Sequence, residues 1–107
     1  MKLVVLESPY AGDIEKNTQY ARECVRDSLQ RGEAPIASHL LYTQPSVLRE
    51  DMPEERAWGI KAGLCWASKA DLMAVYIDNG ISMGMQSAIN HARAIGLEVE
   101  MRQLPPF

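Results

Sequence analysis

Leu72-Met73-Ala74-Val75-Tyr76-Ile77-Asp78-Asn79-Gly80-Ile81-Ser82-Met83-Gly84-Met85 is the stretch whose reading decides the fold. The run 72–77 is apolar, short, and bounded by turn residues, so it reads as a strand. Asp78-Asn79-Gly80 then turns the chain. A helix follows, carrying Met85, Ala88, Ile89, Ala92 and Ile95 at helical spacing and stopping at Gly96. A buried strand feeding directly into a helix is the signature of a parallel sheet with crossover helices.

Outward from this unit the same alternation recurs. Residues 2–6 are almost all apolar, and a strand apolar on both sides is buried on both. Ser8-Pro9-Tyr10-Ala11-Gly12 forms a loop, and Asp13 offers an N-cap. Ile14, Ala21, Val25 and Leu29, with Cys24 beside them, mark a first helix over about 13–31, ended by Gly32. Ala34–Leu41 reads as a second strand ending near Ser38-His39, and Thr43–Arg49 as a loop. Asp51-Met52-Pro53-Glu54 opens a second helix that runs to about Lys69. Ile60, Leu64 and Ala67 form its apolar stripe. Gly59 and Gly63 share a face and let another backbone come close. Leu97–Arg102 alternates Leu97, Val99 and Met101 with Glu98, Glu100 and Arg102, which suits a half-exposed edge strand.

The order βαβαβαβ, with right-handed crossovers, predicts one three-layer, Rossmann-like α/β domain over residues 1–107. Its core is an open parallel sheet of four or five strands with helices on both faces. A chain of 107 residues fits one domain, and a core of that size gains from oligomerisation. The net charge of -3 argues against nucleic acid as a partner, since that needs a basic face. No run reaches membrane-spanning length, and the apolar start, broken by Glu7, is too short for a signal peptide. Cys24 and Cys65 lack a CxxC neighbour and read as buried thiols in a reducing, cytoplasmic setting; no metal site or cofactor is expected.

In such sheets ligands bind outside the carboxyl ends of the strands, at the point where the strand order reverses. That brings Glu7–Tyr10, His39 and Asp78–Met85 around one crevice. Gly80, Ser82, Gly84 and Met85 lie where a helix begins, with unpaired N–H groups that suit a phosphate. The simpler role for Ser82 is a helix cap, and for the glycines a turn. Asp78 suits sugar hydroxyls or, more simply, an Asx turn. Ser8 is placed to hydrogen-bond a phosphate or hydroxyl of a ligand, with Pro9 beside it at the strand end, and Tyr10 offers a face on which a base stacks or, more simply, packs over the core edge. Glu7 and Asp78, at adjacent strand ends, are the candidate acids for glycosidic chemistry. His39 reaches the rim or plays a structural part. Trp58 and Trp66 read as core or interface residues, and Glu54-Glu55-Arg56 as a solvated first turn.

Ser8-Pro9-Tyr10, Ala70-Asp71 leading to Ile77-Asp78, and Gly80 to Gly84 leading into Ala88-Ile89-Asn90-His91-Ala92 together resemble the nucleoside 2-deoxyribosyltransferase superfamily. The chain looks most like its small phage and bacterial members, which share the Gly80-Ile81-Ser82-x-Gly84-Met85 turn, the Ser38-His39-Leu40-Leu41-Tyr42 strand end and the Pro53-Glu54-Glu55-Arg56 opening. The resemblance spans nearly the whole chain. It implies a pocket for a nucleoside or nucleotide-like molecule, which in a phage setting would sequester a signalling nucleotide or nucleotide sugar. It also implies homo-oligomers with sites between subunits, for which Leu104–Phe107 and the two tryptophans are candidate contacts. The superfamily's enzymes use a glutamate in the helix after the turn as nucleophile. Here that position is Ala88, and nearby Gln86 is an amide, so the resemblance implies binding without transfer. The alternatives are an N-glycosidase, deoxyribosyltransferase-type or phosphohydrolase-like enzyme working through Glu7 or Asp78, and a structural or interaction module.

Overall fold

A computed structural model describes residues 1–49 and 51–106. Along the chain run β1 (Leu3–Glu7), α1 (Ile14–Gln30), β2 (Ala34–Ile36), α2 (Ser38–Leu41), α3 (Pro53–Ala67), β3 (Leu72–Tyr76), α4 (Met83–Ala94) and β4 (Val99–Arg102). The sheet has the order β2-β1-β3-β4, with every pairing parallel. Val5 lies opposite both Ile36 and Met73, and Glu7 lies opposite Val75.

Strand alternation sorts the core into two layers. Val4, Leu6, Leu72, Ala74 and Tyr76 point to one face, where Tyr20 and Cys24 of α1 close over them. Val5, Met73 and Val75 point to the other, beneath Ala67 of α3 and Met85, Ala88, Ile89 and Ala92 of α4. Each fully buried Met or Val of this kind contributes roughly 1.5–3 kcal/mol relative to exposure. The expected parallel α/β sheet is therefore present, with four strands among the described residues. None of the described helices is long and apolar enough to cross a membrane.

Several expectations need correction. The second strand ends at Ile36, not Leu41, because Pro35 sits in an edge strand that needs few ladder bonds and the chain then winds into α2. His39 is therefore on a helical turn rather than on a strand. Ile14 and Leu29 of α1 are exposed, because the helix buries Tyr20, Ala21, Cys24, Asp27 and Ser28 instead. Ile60 is exposed on α3, and Cys65 is an exposed free thiol; only Cys24 is buried. Gly59 and Gly63 do admit close neighbours, but these are side chains. An added Cβ would stand 3.0 Å from Leu48 Cδ1 at Gly59 and 3.5 Å from Ser38 Oγ at Gly63.

The alternation of β4 also inverts at its end. Met101 is exposed, whereas Arg102 is 4% exposed. The Arg102 guanidinium donates to both carboxylate oxygens of Glu33 at 2.8 and 2.7 Å, to Glu100 at 3.0 Å and to the Tyr76 hydroxyl at 3.3 Å. Tyr76 in turn donates to Asp27 at 2.7 Å, and Arg31 pairs with the same carboxylate at 3.0 Å. Ser28 Oγ donates to Glu33 at 2.8 Å. This network ties β4 and β3 to the last turn of α1. It makes a buried cation tolerable, because every polar atom finds a partner.

Candidate functional site

The chain leaves β1 for α1 on one face and leaves β3 for α4 on the other. The ends of these adjacent strands therefore part, and the crevice between them is the switch point at which open α/β sheets hold ligands. Residues 7–10 and 77–84 form its rim, and the 38–48 segment after β2 flanks it.

Ser8 is 2% exposed, and Pro9 and Tyr10 are half-buried. The Tyr10 and His39 rings stack, with centroids 5.2 Å apart and planes 15° from parallel. Asn17, which the sequence reading passed over, fastens this loop: its Nδ2 donates to the Tyr10 carbonyl at 2.9 Å and the Ala11 carbonyl at 3.1 Å. The only local sign of that role was an amide one turn into a helix that follows a loop. Burial first, and then the nearby charge of Arg56, hold the His39 imidazole below its usual range. His39 is therefore neutral at pH 7, with its ring free to pack against aromatic partners.

Glu7 ends β1 and alternates onto the side of Val5, toward α3 and α4. Its half-buried carboxyl has no hydrogen-bond partner among the described residues, and burial raises it from 4.5 to about 7. Asp78 faces the other way. Its carboxylate accepts from the Tyr20 hydroxyl of α1 and from the Leu104 N–H at 3.1 and 3.2 Å. Tyr20 Oη in turn accepts from the Asp78 N–H at 3.1 Å. Asp78 thus pins the C-terminal tail to α1, while Leu104 packs on the core beside it and Phe107 lies outside the described residues. The two acids of the strand ends are divided between the two faces of the sheet and do not form a pair.

Gly80 adopts φ +85°, a left-handed conformation that completes the turn after β3. Ser82 caps α4: its Oγ accepts from the Met85 N–H at 3.2 Å, and its own N–H points at Met85 Sδ, 3.4 Å away. The hydroxyl is thereby committed to the helix. The N–H groups of Met83 and Gly84 are left as first-turn donors without an intrahelical acceptor. The rim there is open, since an added Cβ on Gly84 meets nothing nearer than Ser82 Oγ at 4.0 Å. Met85, placed at the rim by the sequence reading, is instead 1% exposed in the core under α4. Ala88 lies in the same core layer and presents only a methyl group.

The site therefore offers an aromatic platform, a carboxyl poised near neutrality and backbone donors at a helix start. Such a set can stack a flat ring, exchange one proton and receive an anion. Among the described residues no three metal-ligating side chains cluster. A shallow depression lined by Asp13, Lys16, Gln19 and Arg22 runs along α1 from its capped start.

The model of the family described as "Domain of unknown function (DUF7768)" matches residues 2–102. A comparison with curated proteins gives no match. Among solved structures, the chain is similar to the 2-deoxyribosyltransferase of the psychrotolerant bacterium Bacillus psychrosaccharolyticus, described as a biocatalyst for the synthesis of antiviral and antitumoral nucleosides. That match has a TM-score of 0.68 and 19% identity, over 94% of this chain and 72% of the other. It is also similar to the CMP N-glycosidase BcmB of Clostridium botulinum, with a TM-score of 0.58 and 14% identity, over 95% of this chain and 71% of the other. These likenesses show a shared deoxyribosyltransferase-like fold.

Proposed function

This chain belongs to the family described as a domain of unknown function (DUF7768), and we propose that it binds a nucleoside or nucleotide-like small molecule in the crevice between the ends of β1 and β3. The observation that carries this reading is the stacked Tyr10–His39 pair at that crevice. A neutral aromatic platform at a switch point suits a nucleobase, and the open first turn of α4 beyond β3 suits a polar or anionic group on its sugar. The named activities of the two structural neighbours, a 2-deoxyribosyltransferase and a CMP N-glycosidase, agree with such a ligand. Transfer of a glycosyl group through α4 is not part of the proposal, because Ala88 has no nucleophilic atom.

Differential scanning fluorimetry tests the reading with a panel of nucleosides, nucleoside monophosphates and ADP-ribose. Ligand at a hundred times Kd stabilises by about 2.7 kcal/mol. For a domain of this size that raises Tm by on the order of 10 °C. Tyr10→Ala should abolish the rise. A flat Tm across the whole panel would remove the proposal.

One observation favours a second reading, hydrolysis of an N-glycosidic bond: the unpartnered Glu7 carboxyl, held at about 7. A group half-protonated at neutral pH can give its proton to the departing base while water adds to the sugar carbon. Chromatography would then detect free base released from the panel, and Glu7→Gln would stop it. Release unaffected by Glu7→Gln would exclude this role.

We further propose that the chain self-associates through α3, where Trp58, Ile60 and Trp66 are 61%, 56% and 48% exposed. Trp58 and Trp66, eight residues apart, lie on the same side of α3, where a second copy of the chain would cover both. Sedimentation velocity should show a species heavier than 11.9 kDa that Trp58→Asp returns to monomer. A wild-type chain sedimenting as a monomer at high concentration refutes the association.

A further inference from the structure

We propose that two copies of the chain pack α3 against α3 in antiparallel fashion, about a two-fold axis near Ala62, so that Trp58 of each copy meets Cys65 and Trp66 of the other. This rests on the self-association argued above and goes further in fixing its geometry and the charges that select it. The inner side of α3 is already committed: Gly59 and Gly63 face Leu48, Tyr42 and Ser38, and Ala67 is buried in the core. On the outer side Trp58, Ala62, Cys65 and Trp66 follow at helical spacing, with Lys69 just past the helix end. Trp58, Cys65 and Lys69 are exposed. A helix that is apolar on its outer side as well as its inner one is a helix covered on both.

The outer tryptophans are prepared for contact. The Trp66 indole N–H donates to the Tyr42 hydroxyl at 2.8 Å, which holds an exposed ring in one orientation and lowers the entropy cost of burying it. Ala62, between Trp58 and Cys65, is small enough to let two helix axes approach. Charge then selects the occupant. Glu54 stands in the first turn of α3, one turn before Trp58, and Lys69 stands at the other end. They are about 22 Å apart along the axis, so within one chain they cannot meet. A two-fold axis reverses one helix and sets Glu54 of each copy against Lys69 of the other, twice over. The helix dipoles then also run in opposite directions. A parallel pair would set Glu54 against Glu54 and Lys69 against Lys69. One helix thus supplies both halves of a complementary contact, which fits a second copy of this chain.

Charge exchange on the full chain, read by sedimentation equilibrium, tests the arrangement. Glu54→Lys alone and Lys69→Glu alone should each weaken the dimer by about tenfold, because each turns two symmetric attractions into repulsions. The double variant Glu54→Lys/Lys69→Glu should return to within about twofold of wild type. Cross-linking under mild oxidation gives a second measurement. In the antiparallel register the two copies of Cys65 lie about 10 Å apart along the axis, outside disulfide reach, so wild type stays unlinked. Ala62→Cys in a Cys65→Ser background sits beside the two-fold axis and should yield a disulfide-linked dimer. A dimer that single charge reversals leave unchanged, that the double variant fails to restore, or that links through Cys65 in wild type would overturn the antiparallel register while leaving self-association standing. A wild-type chain that stays monomeric at high concentration would overturn both.

Discussion

Glu7→Gln is expected to stabilise the protein at pH 8 while impairing its site. Burial raises the Glu7 carboxyl from 4.5 to about 7, and no hydrogen bond offsets the lost hydration. The folded state therefore holds more protons than the unfolded state between those values. Stability falls as pH rises through that window and stays reduced above it. A displacement of this size corresponds to about 3 kcal/mol for a fully shielded group, and partial exposure lowers the expectation to ~1–3 kcal/mol. Glutamine keeps the shape without the charge. Urea unfolding at pH 4 should find wild type and variant alike, and at pH 8 should find the variant more stable. A variant no more stable than wild type at pH 8 would mean that the carboxylate is stabilised in the fold, and would withdraw Glu7 from the chemistry proposed for it.

Arg102→Met carries the largest expected loss. The substitution removes the guanidinium shared by Glu33, Tyr76 and Glu100 and leaves the Glu33 carboxylate, whose side chain is 12% exposed, without its cation. Breaking a buried pair from one side costs about 3–5 kcal/mol, because the surviving charge is stranded. Arg102 holds the Glu33 carboxyl below its usual range. Its contribution is therefore present above the unfolded value and lost as pH falls through the lower folded value. The gap between wild type and Arg102→Met should accordingly be widest near neutrality and narrow in acid. Denaturant midpoints measured from pH 3 to pH 7 read both effects. A loss below about 1 kcal/mol, or one that does not change with pH, would show that the network does not hold β4 to α1 in this way.

The two substitutions act on groups that sequence reading treated very differently. Glu7 was singled out because it ends an apolar strand, a local feature visible in five residues. Arg102 looked like the solvent side of a half-exposed edge strand, because Glu98, Glu100 and Arg102 alternate with apolar neighbours. Its partner Glu33 lies 69 residues earlier. Nothing in the local pattern signals that a carboxylate from the end of α1 will meet it. The same limit explains α3, where helical spacing suggested an apolar stripe yet Ile60 faces solvent and Ala67 alone is buried. Asp78 was legible as a strand-end acid. Its capture by Tyr20 and Leu104 was not, since both partners approach from separate parts of the chain.

By itself, the order of residues determined a parallel α/β sheet with its crossover helices, the capped start of α4 at Ser82 and the turn at Gly80. Those features follow from period, propensity and turn chemistry, which act over a few residues. Tertiary structure alone decided that Glu7 and Asp78 lie on opposite faces, that Tyr10 meets His39, that Met85 is core, and that Arg102 is buried against Glu33. Each of these depends on which distant groups share a burial site. Desolvation and pairing energies are set by those neighbours, not by a residue's place in the chain.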